Sequence, residues 1–297
     1  MSEPTIVVRS REEWHATAAF ERLLRLSSGR HYGASADSGC WVMVGRDLRD
    51  VAEWSIIPPA ASLTLNWGAG GCTLEFGGGS LQMKTGDWMW IDAGLAHRGQ
   101  NVPGSDFLTV FVPESYVIAA ALHVAPIGAA SQRAPSGLAK TLVGMAALLL
   151  DGDSTRAIEA PFLDAILDWV GTNFDPRRAV DPQGDPVLLA AQMLRDDQSA
   201  SLSIGLVAEA VGLSRSGLSR RFKGYHRVTP QVYRQQVRLS RATVALAMGG
   251  SVLAAAHDAG FADTAHLSRT FRKQYGITPS LWAKQVARSA ASTSGAR

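Results

Sequence analysis

The hydrophobic and polar positions follow two different patterns along the chain. Between residues 38 and 113 the apolar positions form short or alternating runs, which Gly, Pro and Asp separate. Short runs divided by turn residues predict the strands of a β-barrel or sandwich. The predicted strands are Cys40–Gly45, Trp54–Ile57, Ser62–Trp67, Cys72–Phe76, Leu81–Lys84, Asp87–Ile91 and Phe107–Val112.

Helical periodicity marks the segments on either side. Ser10–Leu26 is predicted to be a helix, with Ser10 and Glu13 in the spacing of a capping box. Leu138–Leu150 is apolar on most faces, and Pro161–Phe174 carries one apolar stripe. These two helices predict either an interface between two copies of the chain or packing against its own barrel.

The segment 175–186 divides the chain, because its charged, Pro and Gly residues are typical of an exposed linker. A chain of 297 residues is long enough for about two domains. We therefore predict a multidomain α+β protein. Its parts are a β-barrel domain at 1–115, a helical segment at 116–174, the linker at 175–186 and an all-α domain at 187–297.

The all-α domain contains an internal repeat. Ala-x-x-x-Gly, then Leu-Ser-Arg-x-Phe, then Thr-Pro occurs over 208–230 and again over 256–279. In each copy the Gly permits a turn with positive φ, and the Leu and Phe at i, i+4 anchor a second helix. The repeat predicts two helix-turn-helix units. Between the two units, Thr229 and Pro230 predict the start of a helix that ends at Met248. This helix would be roughly 28 Å long. Successive turns of the major groove are ~34 Å apart, so the helix could place the two units in adjacent turns.

The second helix of each unit presents polar residues away from its Leu–Phe anchor. Such a helix can lie in the major groove of DNA, where Arg pairs with guanine and Ser or Thr adapts to several bases. Basic residues further along the helix are better placed for phosphates. The residues predicted to face DNA are Ser216, Ser219, Arg220 and Lys223 in the first unit, and Thr264, His266, Ser268, Arg269, Arg272 and Lys273 in the second.

Charge supports this interpretation. Residues 186–297 contain 15 Lys and Arg against 5 Asp and Glu, whereas the rest of the chain contains 14 against 21. A basic domain joined to an acidic one indicates that nucleic acid binds at one end only.

Other features narrow the class of protein. The sequence has no run of about 18 apolar residues and no basic amphipathic face, so it does not predict membrane association. The first residues lack the basic and apolar segments of a secretory signal, and Cys40 and Cys72 do not form a disulfide framework. We expect a cytoplasmic protein with buried thiols.

Residues 202–282 resemble the DNA-binding domain of the AraC/XylS transcription regulators. The second unit carries the strongest match, through Gly260-Phe261-x-Asp263 and Phe271-x-x-x-Tyr275-Gly276-Ile277-Thr278-Pro279. Two residues depart from the family pattern, since Arg227 replaces a Gly and Leu267 replaces a Phe. The family pattern places a base-reading residue at Ala265, and Arg215 is added to the first unit. The predicted DNA contacts are then Arg215, Ser216, Ser219, Arg220, Lys223, Thr264, Ala265, His266, Ser268, Arg269, Arg272 and Lys273.

The resemblance also implies how the protein acts. It predicts a regulator of promoter DNA that dimerises through its helical segment and activates transcription by contacting RNA polymerase, although the sequence leaves repression open.

The barrel resembles the cupin-like sensor domains of the same family. Gly86-x5-Asp92-x-Gly94-x-x-His97-x3-Asn101 matches the second cupin motif, with Asp92 in place of the usual Pro. Metal-dependent cupins take further His ligands from an earlier strand, but Ser62–Gly79 contains no His and only Glu75. We therefore predict no metal, no cofactor and no catalytic site. The alternative is a metal-dependent cupin enzyme whose helical domain binds other proteins.

Aromatic residues suggest a small-molecule effector. Six of the eight Trp lie between Trp14 and Trp90, and a pocket walled by aromatic side chains with a few polar groups is typical of a small-molecule site. A barrel filled by these rings would instead indicate a regulator that senses nothing. The predicted effector-binding residues are Trp41, Trp67, Glu75, Trp88, Trp90 and His97.

Overall fold

The structure, a computed structural model, describes residues 17–35, 38–49, 53–58, 60–68, 71–76, 79–113, 116–117, 129–133, 136–173, 184–197 and 202–291. Of the helix predicted at Ser10–Leu26, the structure describes the part α1, Ala18–Leu24. Ser10 and Glu13 lie outside the described residues, as does the linker before residue 184. No helix in the described ranges is long and apolar enough to cross a membrane.

The N-terminal part is β-rich, as predicted. Its strands are β1 (Gly29–Ala34), β2 (Trp41–Leu48), β3 (Glu53–Ile56), β4 (Ala61–Asn66), β5 (Cys72–Phe76), β6 (Gly79–Met83), β7 (Asp87–Ile91), β8 (His97–Asn101), β9 (Ser105–Val112) and β10 (Ala129–Arg133). Within the described residues they form two antiparallel sheets. One sheet has the order β1-β2-β9-β4-β7-β10 and the other has the order β3-β8-β5-β6.

The two faces of the larger sheet lie in different environments, and the side chains along β4 alternate between them. Along β4, Leu63 and Leu65 join a buried cluster with the helices α2 (Ser136–Asp151) and α3 (Arg156–Asn173). The alternate residues of that strand face the space between the two sheets, because successive strand side chains point to opposite faces. The apolar residues of α2, such as Leu142 and Leu149, are fully buried in this cluster. Of the two predicted roles, the structure shows α2 packed against its own barrel.

The C-terminal part is helical, as predicted. It comprises α4 (Pro186–Asp196), α5 (Ile204–Ala210), α6 (Arg215–His226), α7 (Pro230–Ala247), α8 (Val252–Asp258), α9 (Thr264–Tyr275) and α10 (Pro279–Ala291). In both units a Gly ends the first helix in a left-handed conformation, with φ of 68° at Gly212 and 76° at Gly260. These glycines make the turn of each helix-turn-helix unit.

Helix α7 joins the two units as the sequence predicts. The Thr229 hydroxyl accepts a hydrogen bond from the Val232 amide, and Pro230 occupies the first turn. Before this helix, Arg227 ends α6 with φ of 61°, where the second unit has Gly276 with φ of 80°. In the first repeat, therefore, an Arg residue has the left-handed backbone conformation that suits Gly.

The two parts of the chain pack directly on each other. Tyr32, Ala34 and Trp41 of the larger sheet share one buried cluster with Tyr275 and Trp282. The Tyr32 hydroxyl donates to the Tyr275 carbonyl at 2.8 Å.

Helix α7 also bonds to the barrel backbone. The Ser240 hydroxyl donates to the Ile57 carbonyl at 2.6 Å, and the Gln236 amide donates to the Ser55 carbonyl at 2.9 Å. The connection between the helix-turn-helix units therefore lies against the barrel.

Candidate DNA interface and ligand cavity

The first candidate recognition helix is α6. The Ser214 side chain caps it by accepting a hydrogen bond from the Gly217 amide at 3.1 Å. Leu218 and Phe222 are fully buried and fix one face of the helix to the core of the unit. On the other face Arg215, Ser216, Arg220 and Lys223 are exposed and Ser219 is half-buried.

The second candidate recognition helix, α9, repeats this arrangement. The Asp263 carboxylate caps it by accepting from the His266 amide, while Leu267 and Phe271 are fully buried. The predicted DNA contacts Ala265, Arg269, Arg272 and Lys273 are exposed, and Thr264, His266 and Ser268 are half-buried. Gln235 of α7 donates to the Thr270 hydroxyl at 3.2 Å, which ties this helix to the connecting helix. All twelve predicted residues thus lie on α6 or α9, and none is fully buried.

A cavity of about 110 Å³ lies between the two sheets. Most of its wall is apolar, and it is closed on one side by the last turn of α9. Its lining residues are Arg30, Met43, Trp54, Ile56, Pro58, Ser62, Thr64, Asn66, Gly71, Cys72, Met83, Met89, Ile91, His97, Ser105, Phe107, Thr109, Phe111, Gln274 and Tyr275.

Polar groups are concentrated on two strands of this wall. Ser62, Thr64 and Asn66 follow one another at alternate positions of β4, and all three are buried. Thr109 of β9 stands directly opposite Thr64, with the two hydroxyl oxygens 2.9 Å apart. One hydroxyl donates to the other, so the pair keeps one further O–H that can donate into the cavity.

His97 contributes a buried ring to the same wall. Its Nδ1 lies 2.8 Å from the Leu95 carbonyl, which can only accept a hydrogen bond. Burial lowers the pKa of His97 to about 4, although that hydrogen bond acts in the opposite direction. The ring is therefore neutral at pH 7, and Nδ1 carries its proton.

Trp54 stands beside His97 and was not among the predicted residues. Its ring lies edge-on to that of His97, at 5.5 Å between centroids. Gly99 faces Trp54 across the β3–β8 pair, and a Cβ at Gly99 would clash with the indole. Gly99 therefore makes room for Trp54 in the wall.

Five of the six predicted effector-binding residues lie away from the lining. Trp88 and Trp90 belong to the cluster beneath α2 and α3, because it is Met89 and Ile91 of the same strand that face the cavity. The prediction that both Trp share one face of the strand is confirmed, but that face is the outer one.

The remaining three residues have other partners. Trp41 stacks on Phe111 at 3.5 Å and lies in the cluster shared with Trp282. Trp67 contacts Phe20 edge-on at 5.8 Å, and Glu75 forms an ion pair with Arg98 at 2.6 Å. Of the predicted set, His97 alone lines the cavity.

The replacement of the motif's Pro by Asp92 has a local explanation. Asp92 is buried, and its carboxylate accepts a hydrogen bond from the Trp90 indole nitrogen at 2.6 Å. The described residues contain no group of three or more His, Cys, Asp or Glu side chains arranged to hold a metal ion.

Comparison with known proteins agrees with this architecture. Residues 207–285 match a family model described as a helix-turn-helix domain. The search of curated protein sequences returned no match.

Solved structures resemble most of the chain or about a third of it. An apo ToxT variant from Vibrio cholerae is 11% identical, with 84% of this chain and 98% of that chain covered and a TM-score of 0.54. Wild-type ToxT with a bound unsaturated fatty acid is 10% identical over 83% and 95%, with a TM-score of 0.52. An AraC-type regulator from Chromobacterium violaceum is 30% identical over 35% of this chain and 92% of its own, with a TM-score of 0.32.

The ToxT structures show the shared fold, a β-rich domain followed by a helical domain. The helix-turn-helix match covers both units of the repeat described above. The chain carries the helix-turn-helix DNA-binding domain of an AraC/XylS-type transcription regulator, as the sequence predicts.

Proposed function

We propose that this regulator binds operator DNA through α6 and α9 as a homodimer in the cytoplasm, and that a small carboxylic acid in the cavity controls it. Activation through RNA polymerase is the direction of control that we propose.

One observation supports the control mechanism, namely that α9 carries predicted DNA contacts and also lines the cavity. Gln274 and Tyr275 in its last turn line the cavity, while Arg269 is exposed one and a half turns earlier. A bound effector touches the same helix that is proposed to read DNA. An effector that contacts α9 only when the helix is docked on the barrel stabilises the docked state, which couples the two sites.

We infer that the effector carries an acidic group, because the cavity lining carries a positive charge. Among the described lining residues, Arg30 is the only cation and no carboxylate is present. Arg30 forms no ion pair with any described carboxylate, and its guanidinium would lie 3.2 Å from a Cβ at Gly276, just after α9. A cation that no described carboxylate pairs with, beside an apolar wall, favours an anion with an apolar body.

Two ToxT structures support this class of ligand. One contains an unsaturated fatty acid and another contains (E)-4-(8-methylnaphthalen-1-yl)but-3-enoic acid, so both ligands combine a carboxylate with an apolar body. The cavity of about 110 Å³ in the present chain has room for roughly eight water-sized groups. We therefore propose an acid of on the order of ten non-hydrogen atoms, shorter than a long-chain fatty acid.

Calorimetric titration with a panel of short aromatic and aliphatic acids tests the proposal. Arg30→Gln should weaken binding at least tenfold and Arg30→Lys should weaken it less, since Lys keeps the charge but loses the planar fork. Arg49→Gln is the matched control, because Arg49 is exposed and lies outside the lining. Equal affinities for wild type and Arg30→Gln would refute the assignment of Arg30.

Control of DNA binding needs a separate measurement. Operator affinity should change when an acid that binds the wild type is added, and it should stay constant in Arg30→Gln. Purified protein with RNA polymerase on a promoter template then distinguishes activation from repression. Stoichiometric iron, zinc or manganese in the purified protein, with turnover of an acid, would support the alternative cupin enzyme.

A further inference from the structure

We propose that His97 selects the effector, by accepting a hydrogen bond at Nε2 from a hydroxyl group that the acid carries on its apolar body. This inference rests on the proposed function, because it concerns a second polar contact of the same ligand in the same cavity.

The geometry of the ring fixes the polarity of this contact. Nδ1 donates to the Leu95 carbonyl, so the remaining nitrogen of the neutral ring has a lone pair and no proton. His97 therefore presents an acceptor, which pairs with a donor such as a hydroxyl and rejects a carbonyl, an ether or a carboxylate.

The acceptor at Nε2 is available. Among the described residues no hydrogen bond reaches Nε2, although the residue is only 5% exposed and lines the cavity. A ligand that fills the cavity removes water from this acceptor, which costs free energy unless a donor on the ligand replaces it. A ligand without that donor leaves the cost in place, which is the physical basis of selection.

The surroundings of His97 favour a hydroxyl over a charged donor. The ring lies against the Trp54 indole, and the cation of the lining, Arg30, would repel an ammonium group on the ligand. A hydroxyl can also accept a hydrogen bond, and the Thr64–Thr109 pair and Ser62 supply donors on the cavity wall. The cavity therefore takes a hydroxylated acid in preference to the unsubstituted one.

Three acids of similar size serve as probes, namely 3-phenylpropanoate, 3-(4-hydroxyphenyl)propanoate and 3-(4-fluorophenyl)propanoate, together with the corresponding 2- and 3-substituted isomers. At least one hydroxyl isomer should bind the wild type about tenfold more tightly than its unsubstituted and fluoro analogues. This preference should fall below about twofold in His97→Phe, which removes the acceptor and keeps a ring. His97→Gln, whose amide oxygen still accepts, should keep part of the preference.

Controls separate selection from folding. His257→Phe makes the same change at an exposed position of α8 and should leave the preference unchanged. The affinity of His97→Phe for the unsubstituted acid reports whether its cavity is intact.

Each outcome has one interpretation. If the acids bind in an Arg30-dependent manner with no hydroxyl preference, or if the preference survives in His97→Phe, the role of His97 is refuted and the proposed function stands. If no acid binds the wild type, the proposed effector class fails and the inference fails with it.

Discussion

The hydrogen bond between Tyr32 and Tyr275 gives a direct test of how the barrel holds the second recognition helix. Tyr32 is 3% exposed, and its hydroxyl donates to the Tyr275 carbonyl at 2.8 Å. Burial raises the pKa of Tyr32 above its ordinary value, so the hydroxyl keeps its proton and remains a donor. Tyr32→Phe removes this donor and leaves the ring, which packs edge-on against Tyr275 at 6.2 Å.

The structure sets the size of the effect. A neutral hydrogen bond contributes about 1 kcal/mol net, and a buried carbonyl that loses its partner costs about 1–3 kcal/mol. Since the ring contacts remain, we expect the docked arrangement to lose about 1–2 kcal/mol, which is roughly a five- to thirtyfold shift toward undocking. The amides of the last turn of α9 should then exchange with solvent faster by that factor, provided that undocking controls their exchange.

Hydrogen exchange followed by mass spectrometry measures this shift on full-length protein, with and without an acid that fills the cavity. Tyr225→Phe is the matched control, because Tyr225 is half-buried and makes no hydrogen bond through its hydroxyl to any described residue. If Tyr32→Phe and Tyr225→Phe exchange alike in α9, the barrel does not hold this helix in solution through Tyr32.

Three further predictions concern the DNA interface and stability. Arg220→Ala should reduce the binding free energy by about 1–3 kcal/mol on the operator and by little on random DNA, and Arg269→Ala should lose less specificity. Lys223→Ala and Lys273→Ala should weaken binding to both DNAs alike. Equal losses on both DNAs for Arg220→Ala would show that Arg220 contacts a phosphate. Arg227→Gly should raise the free energy of unfolding by about 1 kcal/mol in urea titrations, since it relieves a left-handed conformation, and an unchanged midpoint would contradict that reasoning. His97 and His226 have pKa values lowered to about 4, mainly by burial, against 6.5 in the unfolded chain. Both stay neutral in the fold, so stability should fall as the pH drops from 6.5 toward 4, and each His→Gln variant should flatten that slope in urea titrations at several pH values.

Local signals predicted most of the helical domain. Thr229, Pro230 and the glycines of the two turns act on their immediate neighbours, so the elements they delimit appear in the structure where the sequence places them. The N-terminal domain was less predictable where neighbours decide the structure. β8 has no apolar alternation, yet it forms a strand because β3 and β5 pair with it on both sides. Pro161 was predicted to begin a helix, but it lies inside α3, which begins at Arg156.

The candidate cavity was predicted only in part, because its walls come from distant parts of the chain. Trp88 and Trp90 were placed on one face correctly, but sequence alone does not say which face of a strand lies against helices. A signal was present in β4, where Ser62, Thr64 and Asn66 alternate with Leu and point to a polar interior. Nothing local indicates that Gln274 and Tyr275 would line the same cavity as Arg30, since that arrangement depends on how the two domains dock.

Because the last turn of α9 forms a wall of the cavity, the proposed ligand site and the proposed DNA-reading helix share one short stretch of chain. On the proposed function, a substitution at Gln274 or Tyr275 should change ligand binding and DNA binding at once, whereas a substitution at Trp54 or Met83 should change ligand binding alone. New ligand specificities should therefore evolve through the barrel wall, with the helix kept nearly constant. Grafting this barrel onto another regulator's DNA-binding domain should fail to transmit the signal unless residues 274 and 275 are transferred with it.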